Sequence, residues 1–90
     1  MILSLGIDFG TSGARGVVID QQGGIVFAMR HDWHIGTIDW VKCWTEALWS
    51  LLAQIPGGFR QKIGTIAING TSSTILLTDD TGKPVDAPLL

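Results

Sequence analysis

Residues 6–13 read Gly6-Ile7-Asp8-Phe9-Gly10-Thr11-Ser12-Gly13, the densest grouping in the chain of residues able to handle an anion. An acid closes an apolar run and leads straight into glycines and hydroxyls. Gly10 and Gly13 tolerate positive φ and let backbone N–H groups approach phosphate oxygens with no Cβ in the way. Thr11 and Ser12 add hydroxyl donors. The Asp8 carboxylate repels phosphate, so its useful role is to hold Mg²⁺, usually through water. Arg15, two residues past Gly13, can add charge-assisted hydrogen bonds to a phosphate. The competing reading is a tight β-hairpin in which Asp8 only forms the turn. The strand–turn–strand context of the whole octapeptide favours phosphate binding. A Walker-type loop is absent, because Gly82-Lys83 is followed by Pro84 and no earlier glycine has the right spacing.

Other candidates are weaker. Thr71, Ser72 and Ser73 form a hydroxyl-rich segment that could bond a polyol or simply cap the end of a strand. His31-Asp32-Trp33-His34 has metal-binding composition but no matching ligand pattern, and reads as a surface loop. Asp79-Asp80 reads as a solvated turn, since adjacent carboxylates in a hairpin face different ways. Asn69-Gly70-Thr71 fits a glycosylation sequon, which carries no meaning without a secretory signal.

The elements that must position these groups follow from periodicity. Residues 2–9 are an apolar run ended by an acid, the pattern of a buried strand. Ala14 to Asp20 is a second strand rich in β-branched residues, Asp20–Gly24 a hairpin connection, and Ile25 to about Arg30 a third strand. These make an antiparallel meander. Residues 31–38 read as loop. From Trp40 to Ile55 apolar residues recur at spacings of three and four, an amphipathic helix with Asp39 as N-cap and Pro56-Gly57-Gly58 as stop. Its other face, with Lys42, Cys43, Glu46, Ser50 and Gln54, is weakly polar. Trp40 and Trp44 lie on the apolar stripe, while Trp49 lies off its edge and could meet another part of the protein. Ile63 to Ile68 and Thr74 to Thr78 are further strands, the latter followed by a turn at residues 79–83. The order is β-β-β-α-β-β, an α/β class.

Composition bounds the function. The chain has 90 residues, of which 46% are hydrophobic and only 16% charged, against about 25% charged in an ordinary soluble domain. A chain this short buries only about 60–65% of its unfolded surface. It therefore has an interaction surface or belongs to something larger. A net charge of −2 with only 6 Lys and Arg argues against nucleic-acid binding. The single Cys43 excludes a disulfide framework and fits a reducing compartment. Asp8 interrupts the N-terminal apolar run before a signal core or membrane span could form. A cytoplasmic chain without membrane contact is expected.

Residues 5–15, Leu5-Gly6-Ile7-Asp8-Phe9-Gly10-Thr11-Ser12-Gly13-Ala14-Arg15, resemble the first phosphate motif of the FGGY carbohydrate kinases. These belong to the sugar kinase/Hsp70/actin superfamily, whose domains have a ribonuclease H-like core. Residues 66–74 look like the family's second conserved block. Thr81-Gly82-Lys83-Pro84-Val85 with Pro88-Leu89-Leu90 looks like its next hairpin. The resemblance covers nearly the whole chain. The block at 70–74 lacks the Gln-Met-His of bacterial xylulokinases and the Gln-Arg-Glu of glycerol kinases. Together the motifs look most like the D-ribulokinase (xylulokinase-like) proteins of cyanobacteria and plants.

The resemblance implies roles. Asp8 matches the acid near Mg²⁺ and the reacting phosphate. Gly10, Thr11, Ser12 and Gly13 match the loop around the ATP phosphates, and Arg15 a basic position that contacts nucleotide. Thr71, Ser72 and Ser73 fall where relatives place sugar-contacting side chains, although neutral hydroxyls depart from the charged pair of glycerol kinases. The carboxylate base, the adenosine pocket and the second domain are expected beyond residue 90. Residues 1–90 would then be the N-terminal part of the first kinase domain and would not catalyse alone. The expected partners are ATP, a small sugar, and the rest of the kinase chain or a second copy covering the apolar surface. Two other classes stand beside this reading. One is a non-catalytic truncated protein acting by self-association, the other a sugar-independent ATPase of the same superfamily.

Overall fold

The computed structural model describes residues 1–33, 39–70 and 77–86. Strands β1 (Leu3–Phe9), β2 (Gly13–Ile19) and β3 (Ile25–Asp32) are followed by helix α1 (Trp40–Gln54), a one-turn helix α2 (Gly57–Arg60) and strand β4 (Ile63–Gly70). The sheet order is β3-β2-β1-β4, with β1, β2 and β3 antiparallel and β4 parallel to β1. A parallel neighbour cannot be reached by a tight hairpin, so the helical segment between β3 and β4 supplies the crossover.

Period-two alternation sorts β1 between two faces. Leu3, Leu5 and Ile7 are buried beneath the helix, while Asp8 on the opposite face is exposed. Two helix-face residues of β1 have counterparts in β2: Leu5 lies opposite Val18 and Ile7 opposite Gly16. Gly16 in turn lies opposite Met29, and a Cβ there would meet the Met29 sulfur at 2.9 Å. The small residue thus makes room for a large one in the next strand. Helix α1 seats Ala47, Leu51 and Ile55 on this surface, one position per turn.

Its N-terminus is capped as expected: the Asp39 carboxylate accepts from the Lys42 N–H at 3.1 Å. The weakly polar flank has a purpose that periodicity did not show. Ser50 Oγ lies 2.9 Å from His31 Nδ1, and Gln54 Nε2 donates to the Arg30 carbonyl at 3.0 Å. Small polar residues on the helix thus engage the edge strand β3.

Three local expectations need correction. Strand β3 runs to Asp32, so His31 and Asp32 are strand residues rather than loop. Pro56-Gly57-Gly58 does not merely stop a helix. The Pro56 carbonyl accepts from both Phe59 and Arg60 N–H at 3.0 Å, starting α2, and Phe59 packs against Phe27 with ring centroids 6.5 Å apart. Strand β4 extends to Gly70, because the parallel ladder with β1 continues to the Phe9–Gly70 pair. Of the expected strand at Thr74 to Thr78, residues 74–76 lie outside the described residues, and Thr78 makes an isolated bridge with Pro84. His34 and Pro88-Leu89-Leu90 also lie outside them.

Both expected turns close around an aspartate. Asp20 accepts from the N–H groups of Gln22 and Gly24, with Gly23 at φ 84°. Asp79 accepts from the Thr81 N–H at 2.9 Å, the Thr81 hydroxyl at 2.6 Å and the Lys83 N–H at 2.9 Å, with Gly82 at φ 85°. These left-handed glycines make the reversals possible.

Helix α1 is buried where it faces the sheet and exposed at Trp49. Leu51 is fully buried, whereas Trp49 is 64% exposed. In chemical denaturation Leu51→Ala is expected to destabilise the fold by about 2–5 kcal/mol, and Trp49→Ala to stay within about 0.5 kcal/mol. Near-equal effects would contradict this packing. The Thr81 hydroxyl, followed by the Lys83 and Thr81 N–H groups, holds the Asp79 carboxyl below its ordinary range. The turn's contribution to stability is therefore present above the ordinary aspartate range and lost as pH falls through the lowered value. An NMR pH titration should show the Asp79 carboxyl titrating low, and Thr81→Val moving it back up.

Candidate phosphate-binding site

Asp8 stands near the C-terminal end of β1, with partners in the strands on both sides. Arg15 of β2 and Asn69 of β4 are its register neighbours, and Arg30 of β3 continues the row beyond Arg15. Four polar side chains thus cross the sheet in one line, on the face away from helix α1. Asn69 Nδ2 donates to Asp8 Oδ1 at 3.2 Å, and among the described residues Oδ2 has no hydrogen-bond partner. An open hollow of about 340 Å³ lies over this face, lined by Gly6, Asp8, Arg15, Val17, Ala67 and Asn69 among others.

The row places the Arg15 charge between the Asp8 carboxylate and a second arginine. Arg15 and Arg30 are directly opposite, an unfavourable like-charge pair. Arg30 turns to Asp32 at 3.0 Å, an exposed pair worth little by itself. Among the described residues no ion pair or hydrogen bond engages the Arg15 guanidinium. Its charge is available to a ligand above the sheet.

The connection between β1 and β2 is short. Gly10 N–H donates to the Gly13 carbonyl at 2.8 Å, leaving Thr11 and Ser12 at the tip, both exposed. Among the described residues the N–H groups of Thr11 and Ser12 have no hydrogen-bond partner. The carbonyls of this tip are held from behind. Trp33 donates its backbone N–H to the Ser12 carbonyl and its indole Nε1–H to the Thr11 carbonyl, each at 3.0 Å.

The expected use of the glycines is corrected. Among the described residues only Gly23 and Gly82 have positive φ, so neither Gly10 nor Gly13 exploits that freedom. Gly13 is required by close approach instead: a Cβ there would come within 2.8 Å of the His31 carbonyl oxygen and of Asp32 Oδ1. Packing against β3 by itself excludes a Cβ at this position.

The structure brings together Asp8, the loop of Gly10, Thr11, Ser12 and Gly13, and Arg15. Thr71, Ser72 and Ser73 lie outside the described residues, immediately after the strand that carries Asn69. Two contributors escaped sequence reasoning. Asn69 is 61 residues from Asp8 in the chain, and its signal was a polar residue closing an apolar strand, as Asp8 closes its own. Trp33 was concealed in a segment that reads as loop. No group of three or more potential metal-binding side chains occurs among the described residues. His31 bonds Ser50 instead of joining such a group.

No family model matches the chain. It is 27% identical over 100 aligned residues to a xylulose kinase from Lactococcus lactis, covering all of this chain and 20% of that protein. A xylulose kinase structure from Brucella ovis superposes with a TM-score of 0.71 at 24% identity, covering 98% of this chain and 20% of that one. One from Rhodospirillum rubrum gives 0.71 at 16% identity, covering 97% and 20%. The chain therefore spans about a fifth of the length of the relatives it matches. The four-stranded sheet with its crossover helix has the fold found in these xylulose kinase structures, and the chain is similar to the N-terminal portion of an FGGY-type carbohydrate kinase.

Proposed function

We propose that residues 1–90 are the N-terminal part of the first domain of an ATP-dependent sugar kinase, carrying its first phosphate- and Mg²⁺-binding loop. The observation that supports this most is the polar row across the sheet. An exposed carboxylate with one oxygen engaged meets, at one end of β1, an arginine and two loop amides that have no partner among the described residues. The groups fit Mg²⁺·ATP. Magnesium is commonly held by one or two carboxylates, water and the substrate's own phosphates, so Asp8 Oδ2 suffices from this chain. When bound, the metal supplies charge neutralisation on the phosphates. The Thr11 and Ser12 N–H groups and hydroxyls would bind phosphate oxygens, and Arg15 would add a charge-assisted bond. Asn69 would fix the Asp8 carboxylate.

The acceptor in this reading is the hydroxyl of a ketose such as D-ribulose or D-xylulose. Thr71, Ser72 and Ser73 would contact it. The look of the motifs favours the D-ribulokinase (xylulokinase-like) proteins of cyanobacteria and plants. The proton-accepting carboxylate and the adenosine pocket would come from beyond residue 90, so the piece alone would bind without turnover. Among the described residues no helix is long and apolar enough to cross a membrane. We place the protein in the cytoplasm, where ATP and free sugars occur.

The test is an NMR titration of the ¹⁵N-labelled chain with Mg²⁺·ATP. The amides of residues 10–13 should shift, and Asp8→Asn should weaken the Mg²⁺-dependent binding by roughly tenfold or more. Absence of any shift across residues 8–15 would overturn the proposal. With the downstream chain attached, rates on D-ribulose, D-xylulose and glycerol would identify the acceptor.

The far edge of the sheet supports the partner assignment. Ile66 and Ile68 of β4 share the helix side with Leu5 and Ile7, yet are 58% and 62% exposed because α1 packs on β2 and β3. In the whole kinase the remaining chain would cover them. Alone, the 90-residue chain should self-associate through this edge. Light scattering that shows a stable monomer at high concentration would count against it.

A further inference from the structure

We infer that Trp33 is a positioning residue for the phosphate loop, aiming the Ser12 N–H at the ligand through the Thr11–Ser12 peptide. The inference rests on the phosphate-binding reading above. The backbone bond from Trp33 to the Ser12 carbonyl extends the β2–β3 ladder by one rung and needs no special account. The indole bond is different. A side chain 22 residues away donates to the Thr11 carbonyl at 3.0 Å, at the exposed tip of the connection between β1 and β2.

The direction of that bond matters. Trp33 is half-buried and packs against the core cluster; Met29 and His31, at the alternate positions of β3 that precede it, face helix α1. The Thr11 carbonyl therefore points toward the helix side. In a trans peptide the C=O and the following N–H point in opposite directions. The Ser12 N–H is accordingly turned to the other side of the sheet, where Asp8 and Arg15 stand. It has no partner among the described residues. A peptide whose carbonyl is already hydrogen-bonded also has a more polarised N–H, which strengthens its bond to an anion. Without the indole donor, this exposed peptide could rotate and present its carbonyl to the phosphates.

The experiment compares the 90-residue chain with its Trp33→Phe variant, which keeps an aromatic ring against the core and removes the N–H donor. Both are titrated with Mg²⁺·ATP and followed by NMR. The dissociation constant should rise about fivefold in the variant, the value of one ordinary hydrogen bond. The ligand-induced shift of the Ser12 amide should shrink selectively, while residues of β4 keep their resonances. A merely structural role would instead spread changes through the core and leave the Ser12 response intact. In the unaltered chain, ligand should shift the Trp33 indole N–H and slow its exchange with solvent, a readout that does not depend on the variant folding. If the loop amides respond to ligand but the indole signal and the variant's affinity stay unchanged, the positioning role is overturned and the phosphate reading stands. If no loop amide responds in the unaltered chain, the phosphate reading fails and the positioning role with it.

Discussion

Everything in this domain depends on β1 being held in fixed register on both edges. It pairs antiparallel with β2 and parallel with β4. A side-chain period of two means that a slip by one residue would exchange its faces. Leu3, Leu5 and Ile7 would leave the core, and Asp8 would enter it without a partner. The cost of burying a lone carboxylate is large enough to forbid that register. The same alternation that builds the core therefore places Asp8 on the open face, in line with Arg15 and Asn69.

Helix α1 fixes which face is which. It covers the meander but not β4, so the core is strongest on the β2–β3 side and the isoleucines of β4 remain exposed. The polar bonds from Ser50 and Gln54 to β3 set the helix against the edge strand, and β3 in turn carries Trp33 to the loop. Support for the loop tip thus runs from the helix through one edge strand. Gly13 marks where that strand and the loop come closest.

Local pattern was enough for much of this. The apolar run ending at Asp8, the β-branched second strand, the turns at Asp20 and Asp79 and the capped helix at Asp39 all rest on interactions within a few residues, and all appear where the periodicities place them. The extended end of β3 was not legible, because His31-Asp32 is polar and is held in the strand by pairing with Gly13 and Ala14. The small helix α2 was hidden for a similar reason: glycines make poor helix formers, and only the packing of Phe59 on Phe27 explains the turn. The two glycines of the loop were expected to serve by their φ, but the need for Gly13 came from a strand far along the chain.

The sequence by itself determined which groups could meet an anion: a carboxylate, two hydroxyls, two glycines and an arginine within eight consecutive residues, 8–15. Their types and spacing are local properties, so they can be read without a fold. Tertiary structure alone decided how those groups are supported. Asn69 reaches Asp8 only because β4 lies parallel to β1, and Trp33 reaches Thr11 only because β3 runs past the loop. Hydrogen bonds between residues far apart in the chain leave no periodic trace, because their geometry is set by strand order and register rather than by neighbouring residues.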